Sequence, residues 1–172
     1  YFEKKIVQTI EFINKNFINL ENNLLGSAYD ADSDGEEGKY YTFSYNELKK
    51  IKNIDQYFEI KPEGNWENKI ILKEVKTSPE SIIFELKKLR EKKNKPFFDN
   101  KSQLDLNCLW VSALISAEKI LPNNNFLKTA ETYYKNLEKF FFNKEKLKHT
   151  TLKQEVFLED YAYSIAMLLD LY

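Results

Sequence analysis

Leu104-Asp105-Leu106-Asn107-Cys108-Leu109-Trp110-Val111-Ser112-Ala113-Leu114-Ile115-Ser116-Ala117-Glu118-Lys119-Ile120-Leu121 places apolar residues on nearly every face of a helix. With Leu106, Leu109, Trp110, Val111, Leu114, Ile115 and Ile120 spread around the circumference, such a helix is expected to be enclosed by protein. It reads as an inner helix. The segment that follows has a different pattern. Phe126, Ala130, Tyr133, Leu137 and Phe141 make one stripe at three- and four-residue steps, and Lys128, Glu131, Lys135 and Glu138 occupy the other faces. It reads as an outer helix with one wet side. Val156 to Tyr172 is again apolar on most faces, with Tyr161, Ile165, Leu168 and Leu169 prominent. Alternation of inner and outer helices is what an α/α toroid requires, because its inner ring is enclosed by an outer one. The expected fold class is therefore mainly α, a partial α/α toroid, with a plain helical bundle as the alternative.

Toward the beginning of the chain, Phe2, Ile6, Ile10, Ile13 and Phe17 share one helical face, with Lys4, Glu11 and Lys15 on others. After Gly26 comes an acidic, glycine-bearing loop from Asp30 to Gly38, and Lys39 to Phe43 then reads as a strand. Ser44 and Glu47 have capping-box spacing, which predicts a helix from Tyr45 to Ile51. Tyr57 to Ile60 and Lys69 to Val75 read as strands joined through Pro62-Glu63-Gly64-Asn65. The whole chain is thus expected to be one toroid fragment with a β-containing insertion at about 39–75. Pro79 at a first turn opens a further helix running to about Lys92, and Lys92 to Lys101, with Pro96, is a connecting loop.

Lys and Arg number 26 against 27 Asp and Glu, so no net field draws this chain to nucleic acid or anionic lipid. No apolar run is long enough to span a bilayer, and the start carries no secretion signal. One cysteine, Cys108, sits in an apolar run as a buried thiol would, which favours a reducing, cytoplasmic compartment. The chain opens on Tyr1 and closes on Leu168-Leu169-Asp170-Leu171-Tyr172 with no capping Gly or Pro, so it reads as a piece of a longer protein. Inner helices lacking neighbours would then expose apolar surface.

Asp30-Ala31-Asp32-Ser33-Asp34-Gly35 spaces three carboxylates two apart ahead of a turn glycine, as calcium loops do, which makes Asp30, Asp32 and Asp34 candidate calcium ligands. An EF-hand beginning at Asp30 needs Glu at its twelfth position, where Tyr41 stands. The other reading is that the carboxylates cap nearby amides. No other cofactor is indicated.

Gly26-Ser27-Ala28-Tyr29-Asp30-Ala31-Asp32-Ser33-Asp34-Gly35-Glu36-Glu37-Gly38-Lys39-Tyr40-Tyr41 resembles the signature of the YyaL-like family, which includes the spermatogenesis-associated thioredoxin-domain-containing protein. Gly64 to Leu72 is similar to the family's glycine-asparagine element, and Val156-Phe157-Leu158-Glu159-Asp160-Tyr161-Ala162 resembles its Leu-Glu-Asp-Tyr-Ala helix start. Between them, Pro96 to Lys101 and Asn107 align with the family's Asp-Asp-Lys run and the Trp-Asn-Gly after it. The chain departs from that pattern at Asn100, Leu106 and Cys108, which weakens any carboxylate or stacking role for the run. The resemblance implies an α/α toroid like that of sugar epimerases and six-hairpin glycosidases, attached to a thioredoxin-like domain that would be the partner. Its implied ligand is a carbohydrate. No Cys-x-x-Cys occurs here, so disulfide exchange does not belong to these residues.

Glu159 and Asp160 fall in the first turns of an apolar helix, where acids complement the helix dipole. Their chemical reading pairs one of them with Asp99, or with an acid of the Asp30 loop, as general acid and base for glycosyl chemistry. Tyr40, Trp66 and Asn107 are the candidate substrate contacts, the aromatic rings by stacking and the asparagine by its place in the aligned run, although such aromatics more often fill cores. His149, the one histidine, reads as a loop residue. Two functions of different class follow from this reading. One is a carbohydrate-active or epimerase-like domain; the other is a noncatalytic scaffold for the thioredoxin-like partner.

Overall fold

The computed structural model describes residues 2–122, 124–143, 146–152 and 155–172. Among them the chain is mainly helical, with α1 (Phe2–Asn16), α2 (Tyr45–Leu48), α3 (Glu80–Glu91), α4 (Leu104–Ile120), α5 (Phe126–Phe141) and α6 (Leu158–Leu171). The chain separates into two compact units, one formed by Tyr29–Phe97 and the other by Tyr1–Ala28 with Phe98–Tyr172. No helix among the described residues is long and apolar enough to cross a membrane.

In the larger unit α4 packs against both α5 and α6. The turn into α5 is held by Glu118, whose carboxylate accepts the Phe126 N–H at 2.7 Å. That bond satisfies a helix-start donor that Asn125, left-handed at φ 58°, does not cap with its side chain. Trp110 meets Tyr133 edge to face, centroids 6.4 Å apart. Glu118 opposite Phe126 and Trp110 opposite Tyr133 mean that α4 and α5 run antiparallel. Cys108 faces Ser164 one turn beyond the place where the starts of α4 and α6 come together, so those two helices lie side by side in the same direction. Leu104, Val111, Leu114, Leu137, Phe141 and Met167 are fully buried between them, each side chain contributing roughly 1.5–3 kcal/mol of transfer free energy.

α1 leads into a hairpin that pairs Ile18–Asn19 with Leu24–Leu25. Asn107 ties this hairpin to α4. Its Oδ1 accepts the Leu25 N–H at 2.8 Å, and its Nδ2 donates to the carbonyls of Leu25 (3.1 Å) and Gln103 (2.8 Å). One side-chain amide thereby satisfies backbone groups of both the hairpin and α4. Asn19 and Asn22 add bonds to the Asn100 carbonyl (2.8 Å) and to Ser102 (3.0 Å).

The smaller unit has its own core of Phe43, Leu48, Ile54, Phe58, Ile70, Ile82 and Leu86. The capping box forms as its spacing predicts: Ser44 N–H donates to the Glu47 carboxylate at 2.7 Å, and Glu47 N–H donates back to Ser44 Oγ at 3.2 Å. Burial alone would raise the Glu47 carboxyl, but the Ser44 donors and the Lys93 ammonium outweigh it and hold the group below its usual range. Lys93 is itself pushed down by burial, and its ammonium donates to the carbonyls of Lys39 (3.3 Å) and Thr42.

Several expectations are corrected. The acidic stretch is a tight hairpin, with Asp32–Ser33 paired to Glu36–Glu37 across Asp34-Gly35. Asp34 at φ 54° and Gly35 at φ 71° both sit in the left-handed region that two-residue turns matching strand twist require. Lys39 to Phe43, Tyr57 to Ile60 and Lys69 to Val75 do not form strands. They meet only at the single bridges Phe43↔Ile70 and Phe58↔Glu74, because Tyr41 and Thr42 turn back to donate to the Gly38 carbonyl and leave no extended run to pair. The helix expected over Tyr45 to Ile51 stops at Leu48. Helix α6 buries Asp160, Ser164 and Met167, whereas Tyr161, Ile165, Leu168 and Leu169 are exposed. Helix α6 thus turns Asp160 and Ser164 toward the interior and leaves much of its apolar surface uncovered, and on α4 Leu106 and Leu109 are exposed as well.

Replacing Asn107 with Ala removes three bonds and takes the side-chain partner from the Leu25 N–H and carbonyl, while the Gln103 carbonyl keeps the Asn107 N–H, at a cost of about 1–3 kcal/mol for each group that finds no water. Urea denaturation of N107A is expected to give a lower midpoint than L169A, because Leu169 is 71% exposed. Equal midpoints would contradict the staple role of Asn107.

Candidate functional site

Asp160 has no solvent exposure. An ionised carboxylate there is sustained only by direct hydrogen bonds and opposite charge. It has both. At the third position of α6 its Oδ2 accepts the Phe157 N–H at 2.9 Å, and both oxygens lie 3.0 Å from His149 Nδ1. The positive end of the α6 dipole adds to this.

His149 joins the starts of two helices. Its carbonyl accepts the Leu104 N–H at 2.8 Å, Thr151 N–H donates to the Ser102 carbonyl at 3.3 Å, and Gln103 bridges Thr150. The imidazole stands edge-on to the Phe157 ring at 4.8 Å. Its Nε2 faces Gln103 Nε2 at 3.2 Å. Nδ1 faces only carboxylate oxygens, which accept, so it carries a proton directed at Asp160. The result is an imidazole oriented by a buried carboxylate with its second nitrogen on the Gln103 amide, an arrangement that proton transfer can use once that amide moves. The His149 side chain is 17% exposed.

Asp105, in the first turn of α4, completes the group. Single ligand atoms of Asp105, His149 and Asp160 lie within 4.8 Å of one another, the one such set of three among the described residues. One turn further in, Cys108 Sγ lies 3.6 Å from Ser164 Oγ. Burial pushes the Cys108 thiol up to about 11, with the bond from Ser164 acting the other way and Asp105 and Asp160 adding to the rise. A thiol so held is protonated at neutral pH and is no nucleophile.

Of the expected catalytic acids, only Asp160 enters this group. Asp99 accepts the Lys101 N–H at 3.2 Å and pairs with the Lys101 ammonium at 3.1 Å, a local turn whose backbone bond holds its carboxyl below the usual range. Glu159 is exposed. Asn107 is buried and committed to backbone, as described above. Tyr40 is buried in the smaller unit, and Trp66 there is half-buried with its ring 3.0 Å from where a Cβ on Gly38 would stand.

Asp30, Asp32 and Asp34 do not gather into a ligand set. Asp30 Oδ1 accepts the Asp32 N–H at 3.2 Å, while Asp34 accepts from Asn94 (2.9 Å) and pairs with Lys39 (3.0 Å), donors that hold its carboxyl below the ordinary range. The physical reason is the hairpin: alternation along a strand and a turn at Asp34 spread the carboxylates instead of curling them around a cation. Sequence reasoning missed Asp105 and His149. The available signal was that the one histidine precedes a helix bearing an acid at its third position.

No protein-family model and no curated protein matches this chain.

The melting temperature is expected to be the same in chelator and in millimolar calcium, and a calcium-dependent rise would restore the acidic hairpin as a cation site. A thiol reagent at mildly alkaline pH is expected to label Cys108 slowly in the folded protein and fast in denaturant. The thiol ionises near 9.0 when unfolded and about 11 when folded, so this group's contribution to stability is complete below pH 9 and is lost as pH rises toward 11. Guanidinium titrations at stepped pH check that window, and a rise in stability across it would contradict the burial of the thiol.

Proposed function

We propose that this chain is the helical-barrel portion of a YyaL-like protein, that α4 and α6 are neighbouring inner helices of an α/α toroid with α5 outside them, and that its activity is acid–base chemistry on a carbohydrate. The observation that carries the chemical part is the buried Asp160 holding His149 by Nδ1 beside Asp105. His149 is the base, with Nε2, once released from the Gln103 amide, the atom that takes a proton. Asp160 is a positioning residue, and it stabilises the imidazolium that forms. Asp105, half-buried beside them, is the carboxyl group placed to return a proton. The toroid is supported by the parallel course of α4 and α6 and the antiparallel course of α5, which is the path of successive helical hairpins. The family is supported by the resemblance from Gly26 to Tyr41 and by the Leu158-Glu159-Asp160-Tyr161-Ala162 helix start.

Epimerase-like chemistry removes a proton from carbon next to a carbonyl. In deuterated water the full chain is expected to exchange that hydrogen of a reducing sugar for deuterium, followed by proton NMR across a panel of aldoses, ketoses and N-acyl amino sugars. His149→Gln is expected to lose roughly 10²-fold or more of the rate, the usual contribution of a positioned base. Asp160→Asn is expected to slow exchange and shift its pH profile. Absence of exchange with every sugar, or full activity in H149Q, would refute the enzymatic reading.

A second reading has its own observation. An apolar groove of about 700 Å³ runs between α1 and α4, lined by Ile6, Ile10, Ile13, Leu106, Leu109 and Trp110 among others. A face of that kind suits a noncatalytic scaffold that carries a thioredoxin-like domain.

A further inference from the structure

Arg90, in the last turn of α3, is the one arginine among the 26 lysines and arginines of the chain. Its guanidinium lies over the Tyr40 ring with Cζ 5.6 Å from the centroid. Its Nε is buried and has no hydrogen-bond partner, and among the described residues no carboxylate pairs with it. Nearby cations of the same unit are treated differently: Lys39 pairs with Asp34, Lys69 with Glu36, and Lys93 lies 4.0 Å from Glu47. A guanidinium cannot shed its proton, and with its Nε enclosed and unpartnered this one has hydrogen-bonding capacity that no group of the chain takes up.

The surroundings are aromatic and hydroxylated. Tyr40 and Tyr41 stand edge to face at 5.1 Å, and Tyr41 is 47% exposed. Burial raises the hydroxyls of Tyr29 and Tyr41; for Tyr29 the charges of Tyr41 and Tyr40 add to the rise, and for Tyr41 the charge of Tyr40 adds while Arg90 opposes it. The three phenols and the guanidinium are thus close enough to feel one another.

We propose that Arg90, with Tyr40 and Tyr41, binds the carboxylate or phosphate of an acidic sugar. Arginine presents a planar fork that matches an oxyanion with two parallel bonds, which lysine, used everywhere else in this chain, does not offer. Tyr40 holds the fork flat from one side, and Tyr41 supplies an exposed ring face against which a sugar ring can lie. The oxyanion part stands on this geometry alone. The sugar part rests on the carbohydrate reading above.

The sole arginine gives a single Nε–H resonance in nitrogen-15 spectra, so the site reports on itself. Titrating the full chain with glucuronate and with glucose 6-phosphate is expected to move that resonance saturably, while neutral glucose leaves it in place. Whichever acid binds tighter identifies the source of the oxyanion. Calorimetry on Arg90→Gln is expected to show affinity weakened tenfold or more, with Arg90→Lys intermediate and both variants retaining the parent melting temperature. Should R90Q fail to fold, Tyr41→Ala is expected to weaken binding of the acidic sugars more than binding of inorganic phosphate, and undiminished binding of the acidic sugars would overturn the inference. If inorganic phosphate binds as tightly as glucose 6-phosphate, the sugar assignment falls and the oxyanion site stands. If no anion moves the resonance, or if R90Q binds as the parent does, the inference is overturned.

Discussion

A carboxylate with no access to water imposes conditions on everything around it, and in the larger unit Asp160 is that carboxylate. It needs a donor from the backbone, which fixes where α6 begins, and it needs a partner side chain, which fixes where His149 must be. His149 in turn accepts from Leu104 N–H through its own carbonyl and so marks the beginning of α4. The two helix starts are therefore registered by one buried polar contact, and the parallel course of α4 and α6 follows from it. Apolar packing of α4 against α5 adds burial, but it does not specify this register, since apolar contacts are not directional.

The same contact makes the polar edge of α6 its buried edge. A helix that is apolar on most faces would be expected to bury an apolar one, yet Asp160, Ser164 and Met167 face inward while Ile165 and Leu169 are exposed. Pairing Asp160 with His149 and Ser164 with Cys108 satisfies the buried groups, so the inversion costs little in unpaired polar atoms. The polar seam that results holds Asp160 with His149 and Ser164 with Cys108.

The helices were legible in the sequence because their signal is local: the stripe of Phe126, Ala130, Tyr133, Leu137 and Phe141 needs only itself to be read, and so does the Ser44–Glu47 box. The extended segments were not, because a strand exists only with a partner, and Tyr57 to Ile60 and Lys69 to Val75 find each other at one bridge. Spacing misled at Asp30, Asp32 and Asp34, where the two-residue period of a calcium loop coincides with that of a hairpin arm and the turn at Asp34-Gly35 decides between them. Asp160 was legible as a candidate from its helix-start position. Its partner was not, since the 11 residues from His149 to Asp160 carry no periodicity that would bring them together.

Asp160 fixes the His149 proton on Nδ1 and leaves Nε2 an acceptor. Because the chain holds one histidine, long-range proton–nitrogen correlation spectra of labelled protein contain a single imidazole whose two nitrogens are assigned without ambiguity. A protonated Nδ1 and a bare, acceptor-type Nε2 near neutral pH, exchanging in D160N toward a tautomer mixture, is the result this structure predicts. A proton on Nε2, or a tautomer balance unmoved by D160N, would contradict it.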